Sequence, residues 1–335
     1  MSSPKLAAVV LAAGLGTRMR SEVPKHLHPL LGRRLADWVV EAARGLDPEP
    51  LVVVTSPDAG DAFDGVAVAV QEQPRGTGDA AAAARTSLDG FDGDVLVVTG
   101  DAATITTDLL AALIETHRNE GAAATVLSFE PSEPGAYGRI VRDDAGALQA
   151  IVEARDANDD ELTIREVNSS IYVFDAAKLW PALERLKPEN AQGELYLTDT
   201  VRDLVAAGER VVVHTAEDAA EVEGVNTRAE LAAAAAVLRD RINREHMLAG
   251  ATIVDPATAW IDPTVELEAD CTIHPFTVLR GETRVARGAE VGPHVVAADA
   301  EIGPRALVGP FCYLRPGTVL EADAKAGAFV EIKNS

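Results

Sequence analysis

Cysteine is scarce in this sequence, because only Cys271 and Cys312 occur in 335 residues. Two cysteines at that separation are too few and too widely spaced for a zinc knuckle or a disulfide framework. Such sparing use of cysteine fits a reducing compartment, and we expect the protein to be cytoplasmic.

Long hydrophobic runs are also missing. The apolar stretch from Leu6 to Ala13 is short, lacks a strongly basic flank and leads into a loop that contains Arg18 and Arg20. It therefore does not match a secretory signal, and no run approaches the ~20 apolar residues that a transmembrane helix requires. The sequence predicts a soluble protein without a membrane partner.

Positive charge is in deficit, since 30 Lys and Arg residues face 53 Asp and Glu residues, for a formal net charge of −23. A chain this acidic repels the phosphate backbone of nucleic acid, which argues against nucleic acid as a partner of the whole chain. A local cluster of basic side chains can still hold a single nucleotide.

The first motif follows an apolar run at residues 7–13, which predicts a buried strand. Gly14-Leu15-Gly16-Thr17 forms a loop, and Arg18 and Lys25 add two positive charges behind it. Glycine has no Cβ atom, so the N–H groups of such a loop can approach an anion, and a helix that begins there would point its N-terminus at the same place. The spacing matches neither the P-loop nor the dinucleotide fingerprint. We interpret the motif as a phosphate site; the alternative is a tight connection without a ligand.

Strand-like and helix-like segments alternate beyond this loop. Predicted strands cover residues 51–54, 66–70, 95–99 and 123–129, and predicted helices cover 34–46, 79–88 and 107–119. This alternation is typical of a doubly wound, Rossmann-like α/β sheet. In such sheets the ligand lies at the carboxyl ends of the strands, where the loops at 14–18, 71–78 and 99–101 would converge.

Those loops contain residues that could bind a base, a phosphate or a metal ion. Gln71 ends a strand with an amide that can read the edge of a base, and Gly76-Thr77-Gly78 opens the next helix as a second small-residue cradle. Asp101 follows Thr99 and Gly100 and supplies a hard oxygen where a phosphate-bound Mg²⁺ would need one. The alternative interpretation of a lone Asp after a strand is a helix N-cap or a turn residue.

Residues 137–174 lose the helical spacing and predict an antiparallel insertion of short strands. We expect this insertion to place Glu153 and Asn168 in a polar pocket, because carboxylate and amide groups can each bridge neighbouring sugar hydroxyls. The alternative is that Glu153 is a surface residue and Asn168 a turn residue.

The last third of the chain has a different period. Every sixth residue from Ile261 to Ala297 is aliphatic or alanine, and after a one-residue slip the series continues from Ile302 to Ile332. This period predicts a hexapeptide-repeat β-helix, with both cysteines at inward positions. We therefore predict a nucleotide-binding domain at 1–227, a linker helix at 228–250 and a partial left-handed parallel β-helix at 251–335.

Several motifs together resemble one known family. They are Leu11-Ala12-Ala13-Gly14-Leu15-Gly16-Thr17-Arg18-Met19, Pro24-Lys25, Gly76-Thr77-Gly78, Tyr137-Gly138-Arg139-Ile140, Ile151-Val152-Glu153, Asp156-Ala157, Asn190 to Asp199 and Glu221 to Asn226. The chain resembles, over its whole length, the bacterial bifunctional enzymes that are both N-acetylglucosamine-1-phosphate uridylyltransferase and glucosamine-1-phosphate N-acetyltransferase. It departs from that pattern at Asp79, where the family has His, at Ala102-Ala103-Thr104 and at Ser169-Ser170.

The resemblance implies transfer of UMP from UTP to N-acetylglucosamine-1-phosphate, with Mg²⁺ as cofactor, on the route to UDP-N-acetylglucosamine and the cell wall. The implied catalytic residues are Arg18 and Lys25. The implied substrate-binding residues are Leu11, Ala12, Ala13, Gly14 and Lys25 for the nucleotide, Gln71, Gly76 and Thr77 for uracil, Thr99, Gly100 and Asp101 beside them, and Gly138, Glu153, Asn168 and Asn226 for the sugar and metal. Asp101 and Asn226 are the implied metal ligands, and Arg315 and Lys333 match acceptor-binding positions of the acetyltransferase half.

The resemblance also implies a homotrimer that assembles through the β-helix. Because the last hexad is cut short at Ser335, we expect the acetyltransferase half to be present only as a fragment, without acetyltransferase activity. Two alternatives remain at this point: a sugar-1-phosphate nucleotidylyltransferase for another sugar or for dTTP, and a non-catalytic scaffold of the same fold.

Overall fold

A computed structural model of the chain describes residues 4–14, 16–63 and 65–333, so that Leu15 and Ser335 lie outside the described residues. The structure divides into two compact units. Unit 1 comprises Met1–His28 and Leu35–Glu230, and unit 2 comprises Pro29–Arg34 and Leu231–Ser335. The inclusion of residues 29–34 in unit 2 was not foreseen, and the domain limits at 227 and 250 stay predictions.

The first eleven strands are β1 (Leu6–Ala12), β2 (Pro29–Leu30), β3 (Arg33–Arg34), β4 (Leu51–Thr55), β5 (Ala67–Val70), β6 (Asp94–Thr99), β7 (Ala124–Phe129), β8 (Arg139–Arg142), β9 (Leu148–Val152), β10 (Val167–Asp175) and β11 (Val211–Thr215). The α-helices are α1 (Leu35–Arg44), α2 (Thr77–Ala83), α3 (Thr107–Glu120), α4 (Asp159–Leu162), α5 (Ala176–Glu184), α6 (Thr198–Ala206) and α7 (Arg228–Leu248). Short 3₁₀ turns occur at Thr17–Met19, Lys25–Leu27, Pro57–Ala62, Ala84–Leu88 and Ala219–Glu221.

Unit 1 is built on one sheet with the strand order β11-β7-β10-β6-β1-β4-β5. Its apolar side chains are buried on both faces: Ala7, Val9 and Leu11 of β1 belong to one core, and Ala8 and Val10 to the other. Helices α2, α5 and α6 contribute to the first core and helices α1 and α3 to the second. The predicted doubly wound α/β fold is confirmed.

Strand β10 corrects one expectation. Residues 167–174 were expected in an antiparallel insertion, but they form β10 in the interior of the main sheet, where it is antiparallel to both β6 and β7. The physical reason is burial: Val167, Ile171, Val173 and Phe174 are all fully buried, as in a strand covered on both faces. The hairpin of β8 and β9 belongs to the same sheet but lies off this order, with β8 paired to β10.

The segment after the glycine loop corrects a second expectation. No α-helix begins there in the described residues; two 3₁₀ turns, Thr17–Met19 and Lys25–Leu27, follow instead, and the first α-helix begins at Leu35. Pro24 and Pro29 each lack a backbone N–H group, which disfavours a continuous helix across this segment. The loop therefore does not point a helix N-terminus at the site.

Unit 2 contains the predicted β-helix. Its strands are β12 (Thr252–Ile253), β13 (Trp260–Ile261), β14 (Glu266–Leu267), β15 (Thr272–Ile273), β16 (Val278–Arg280), β17 (Arg284–Val285), β18 (Glu290–Val291), β19 (Val295–Ala298), β20 (Glu301–Ile302), β21 (Leu307–Val308), β22 (Cys312–Leu314), β23 (Val319–Leu320), β24 (Lys325–Ala326) and β25 (Glu331–Ile332). They form three parallel sheets in which every third strand is a neighbour. Ile261 pairs with Leu279, eighteen residues later, whereas Val285 pairs with Ile302, seventeen residues later. The one-residue slip in the hexads is thus absorbed without breaking the sheets.

Among the helices of the described residues, none combines the length and the apolar character needed to cross a membrane.

Both cysteines lie in the core of the coil, with relative exposures of 0% for Cys271 and 3% for Cys312. Burial raises the pKa of the Cys271 thiol to about 11, and the Cys312 Sγ donates to the Gly327 carbonyl at 2.8 Å. Both thiols are inaccessible, and the raised pKa leaves that of Cys271 poorly ionised, so neither is in a reactive setting.

We predict that both thiols react with a disulfide reagent at least ~100-fold more slowly in the native protein than in guanidinium chloride, because burial denies the reagent access to both sulfur atoms. The measurement is the release of thionitrobenzoate over time. Rapid release from the native protein would contradict the placement of the cysteines in the core.

Candidate active site

A cavity of about 530 Å³ lies in unit 1, at the carboxyl ends of β1 and β6. Ten of the residues named from the sequence line it: Leu11, Ala13, Gly14, Lys25, Gln71, Gly76, Thr77, Thr99, Asp101 and Glu153. They come from six separate segments of the chain, and the parallel sheet brings them together because its strands end at a common edge.

The strongest polar contact in the cavity joins Lys25 and Asp101. The Lys25 Nζ forms an ion pair with Asp101 Oδ2, and both residues are 8% exposed. Thr99 Oγ1 donates to Asp101 Oδ1 at 2.7 Å. Burial by itself would raise the pKa of the Asp101 carboxyl, but Lys25, His26 and Thr99 together hold this pKa below its usual value. Asp101 is therefore an ionised carboxylate in a low-dielectric setting.

Asn226 and Arg18 extend this pair. Asn226 Oδ1 accepts from Lys25 Nζ at 3.1 Å and from Arg18 Nη2 at 2.8 Å. Lysine and arginine can only donate, so these contacts identify the amide oxygen as the atom that faces them. The Val225 N–H donates to the Asp101 carbonyl at 3.0 Å, which ties the segment of Asn226 to the end of β6. We call Arg18, Lys25, Asp101 and Asn226 the charge clamp.

Two glycines are required by the close approach of chain segments around the clamp. Gly16 has φ of 61°, and a Cβ atom there would lie 2.4 Å from the Lys25 Cβ. A Cβ atom on Gly100 would lie 2.9 Å from the Leu11 carbonyl oxygen. Because neither position has room for a side chain, the glycines serve to bring β1, β6 and Lys25 together.

His26 was not singled out from the sequence, yet it lines the cavity beside the clamp and is 4% exposed. Its ring lies against Gly14 and Gly100, where added Cβ atoms would be 3.5 Å and 3.1 Å from ring nitrogens. Burial, aided by the charge of Lys25, lowers the pKa of His26 to about 4. The ring is therefore a neutral imidazole at physiological pH.

The loop at 76–78 acts mainly by packing. Gly76 has φ of 113°, and a Cβ atom there would lie 2.5 Å from the Leu195 carbonyl oxygen. The Gly78 N–H donates to that carbonyl at 2.8 Å, and Thr77 Oγ1 accepts from the Leu197 N–H at 3.0 Å. This loop holds residues 195–197 against the cavity, where Gln71 is also placed.

The side of the cavity formed by Glu153 and Thr198 is acidic, and we call it the acidic wall. Glu153 Oε1 accepts from Thr198 Oγ1 at 3.2 Å, and Gly138 packs against the Glu153 carboxyl group. Burial raises the pKa of Glu153, and the carboxylates of Asp156, Asp199 and Glu194 raise it further.

Asn168 lies behind this wall, because it is 1% exposed and is not among the residues that line the cavity. Its Nδ2 donates to the Tyr172 hydroxyl at 2.7 Å, and its Oδ1 accepts from the Ser170 N–H at 3.1 Å. The pairing of β10 with β7 shifts register between Asn168 and Tyr172, and Ser170 has φ of 63°. This bulge turns Ser170 and Tyr172 into the cavity.

Other lining residues were also missed by the sequence analysis: Gln192, Glu194, Tyr196 and Thr198. From the sequence, the motif from Asn190 to Asp199 was given only as part of the resemblance. Its density of polar side chains before α6 was the available signal. What reveals its role is the docking of residues 195–197 on the loop at 76–78.

Arg315 and Lys333 belong to unit 2. They follow the paired residues Leu314 and Ile332, so they occupy equivalent positions on adjacent coils. The Arg315 Nε lies 2.5 Å from Glu331 Oε1, and its guanidinium lies 5.4 Å from the centre of the Tyr313 ring. Lys333 is exposed.

Comparison with known proteins agrees with this geometry. The MobA-like NTP transferase domain family matches residues 8–198. The bifunctional protein GlmU of Streptomyces coelicolor is 46% identical over an alignment of 354 positions, which covers 98% of this chain and 73% of that protein. The chain belongs to the GlmU family. The GlmU proteins of Corynebacterium efficiens and Kineococcus radiotolerans are 44% and 47% identical, over 100% and 98% of this chain and 74% and 72% of their own lengths.

Membership of the GlmU family shows that the chain is a nucleotidyltransferase, a kind of enzyme that acts on nucleotide and sugar-phosphate substrates. Enzymes of this kind generally use a divalent metal ion. Within the described residues, no three His, Cys, Asp or Glu side chains come together as a metal-binding group.

We predict that His26 weakens the protein in mild acid. The pKa of His26 is 6.5 when unperturbed and about 4 in the fold. Its contribution to the free energy of unfolding is therefore complete above about pH 6.5 and is lost as the pH falls toward 4. Between pH 6.5 and pH 4 the free energy of unfolding falls by about 3 kcal/mol from this residue. The measurement is the melting temperature at neutral pH and near pH 5, for the wild type and for His26→Gln.

The variant cannot bind the proton, and its melting temperature should therefore fall less between the two pH values. Other buried histidines act with the same sign in both proteins and cancel in this comparison. An equal fall in both proteins would contradict the neutral, buried state of His26.

Proposed function

We propose that this chain transfers UMP from UTP to N-acetylglucosamine-1-phosphate, giving UDP-N-acetylglucosamine and pyrophosphate. The observation that carries the proposal is the buried ion pair of Lys25 and Asp101, which lines one cavity together with the Gln71 amide and the half-buried Glu153 carboxyl group. A binding scaffold would have no need to keep a lysine and a carboxylate buried in contact with each other.

The reaction is an in-line displacement. An oxygen of the sugar phosphate attacks the α-phosphorus of UTP, the bond to the bridging oxygen breaks, and pyrophosphate leaves with the electron pair. Such transfers need positioning and charge neutralisation more than a protein nucleophile. In our proposal Lys25 neutralises the charge that develops on the α-phosphate, and the exposed Arg18 binds the departing pyrophosphate.

We propose Asp101 and Asn226 as the ligands of Mg²⁺. Their oxygens already converge on one cationic atom, Lys25 Nζ, and hard oxygens of this kind suit Mg²⁺. This ion is commonly held by one or two carboxylates together with substrate phosphates, so a larger cluster of protein ligands is not needed. When bound, it would neutralise phosphate charge and help to align the two substrates.

We propose that the acidic wall binds the amino sugar. Glu153 and Thr198 present a carboxyl and a hydroxyl group to the cavity, and both can bind sugar hydroxyls. Asn168 would support this wall through Tyr172 and Ser170. The side of the cavity with Lys25 and the acidic wall with Glu153 thus differ in charge. This difference favours one orientation of a sugar phosphate, with the phosphate toward Lys25 and the sugar toward Glu153.

The test is the release of pyrophosphate from UTP, CTP, dTTP and ATP with a panel of sugar-1-phosphates and Mg²⁺. We expect UTP with N-acetylglucosamine-1-phosphate to give the highest kcat/KM. A different preferred pair would assign another sugar or nucleotide, and no release with any pair would favour a scaffold.

We predict that Asp101→Ala and Arg18→Ala each lower kcat by ~10²-fold or more, because they remove charge stabilisation of the transition state. The matched control is Asp144→Asn, at an exposed turn, which should leave kcat unchanged. Near wild-type turnover by Asp101→Ala with Mg²⁺ would show that the metal assignment is wrong.

We further propose that unit 2 binds an anionic acceptor at Arg315 and Lys333, and that it assembles into a homotrimer. Phe276, Phe311 and Phe329 are 53%, 48% and 82% exposed, and His294 completes their ladder with ring centres 4.8–5.2 Å apart. Self-association would remove this apolar surface from water, which favours assembly.

We predict that light scattering will give three times the mass of one chain, and that Phe311→Ser will shift the protein toward monomer. A monomeric wild type at micromolar concentration would contradict the trimer.

A further inference from the structure

The Gln71 amide makes two hydrogen bonds through the same atom. Its Nε2 donates to the Gly76 carbonyl at 3.1 Å and to Asp79 Oδ2 at 2.9 Å. Gln71 is 7% exposed and lines the cavity. Both N–H groups of the amide are therefore used inside the protein.

The chemistry of these partners decides which end of the amide faces them. A backbone carbonyl and a carboxylate can only accept hydrogen bonds, so the atom opposite both must be the nitrogen. If the amide were turned over, Oε1 would face two acceptors and both hydrogen bonds would become repulsive contacts. The group that Gln71 can offer a ligand is thus its carbonyl oxygen, an acceptor.

Asp79 is itself held in place. Its Oδ1 accepts from Arg75 Nη2 at 2.7 Å, and its side chain is 12% exposed. Arg75 binds one carboxylate oxygen, and the other is directed to Gln71.

We propose that Asp79 is a positioning residue that holds the Gln71 carbonyl toward the base, so that the site requires a ring N–H donor. This inference rests on the proposed function, because the only donor on the pairing edge of uracil is N3–H. Cytosine has a lone pair at N3, which the Gln71 carbonyl repels. Thymine has the same N3–H as uracil, so this contact separates UTP from CTP but not from dTTP.

The test compares Asp79→Ala with the wild type. Without the carboxylate only the Gly76 carbonyl still favours the present orientation, so the Gln71 amide turns over more readily and can then donate to cytosine N3. We expect the ratio of kcat/KM for UTP to that for CTP to fall by about tenfold or more. If turnover with CTP is too slow to measure, dissociation constants for the two nucleotides, measured by calorimetry, test the same discrimination at the level of binding.

Two further variants separate positioning from a general structural effect. Asp108→Ala also removes an acidic residue from the first turn of a helix, α3, but at an exposed position outside the cavity, and it should keep the wild-type ratio. In a Gln71→Ala background, Asp79→Ala should not change the ratio further, because the amide that it positions is gone.

The outcomes are distinct. If the wild type does not use UTP, the proposed function fails. If the wild type uses UTP but Asp79→Ala keeps the UTP to CTP ratio, or changes it equally in the Gln71→Ala background, the positioning role is wrong while the function stands.

Discussion

The buried ion pair between Lys25 and Asp101 is the contact on which the rest of the site depends. In a low-dielectric setting, removing one partner of such a pair leaves an uncompensated charge, at a cost of about 3–5 kcal/mol. The glycines around the pair allow the chain segments that carry it to approach each other closely. Gly16 makes room for the Lys25 side chain, and Gly100 lets the ends of β1 and β6 approach each other. Asn226, more than two hundred residues from Lys25, is brought into the same network by its amide oxygen.

The pair also explains how a chain with a net charge of −23 can handle phosphates. Lys25 lines one side of the cavity and is joined to Arg18 through Asn226, whereas Glu153 and its acidic neighbours form another wall. Electrostatic focusing in a cleft depends on local charge and on low-dielectric walls, not on the net charge of the molecule. A phosphate and a sugar joined in one substrate can therefore be oriented by the contrast between the walls.

Much of this site could be anticipated. The loop at residue 14, Gln71 and Asp101 were predicted to converge because parallel strands end at one edge of a sheet, and in the structure they line one cavity. The hexad period likewise predicted the β-helix. The central position of β10 and the 3₁₀ turns after the glycine loop were not anticipated. Local spacing reports burial and turn chemistry, but it does not say which strands are neighbours.

The sequence by itself determined the periods, and with them the doubly wound sheet and the coil, because side-chain burial repeats with the geometry of each element. It also determined the family, through motifs that occur in order along the chain. Only the tertiary structure decided the partners of polar groups: the imidazole of His26 beside the clamp, Asn168 behind the wall, and the Asp79 carboxylate that orients Gln71. Hydrogen-bond partners depend on distances and directions between residues far apart in sequence, and these exist only once the chain is folded.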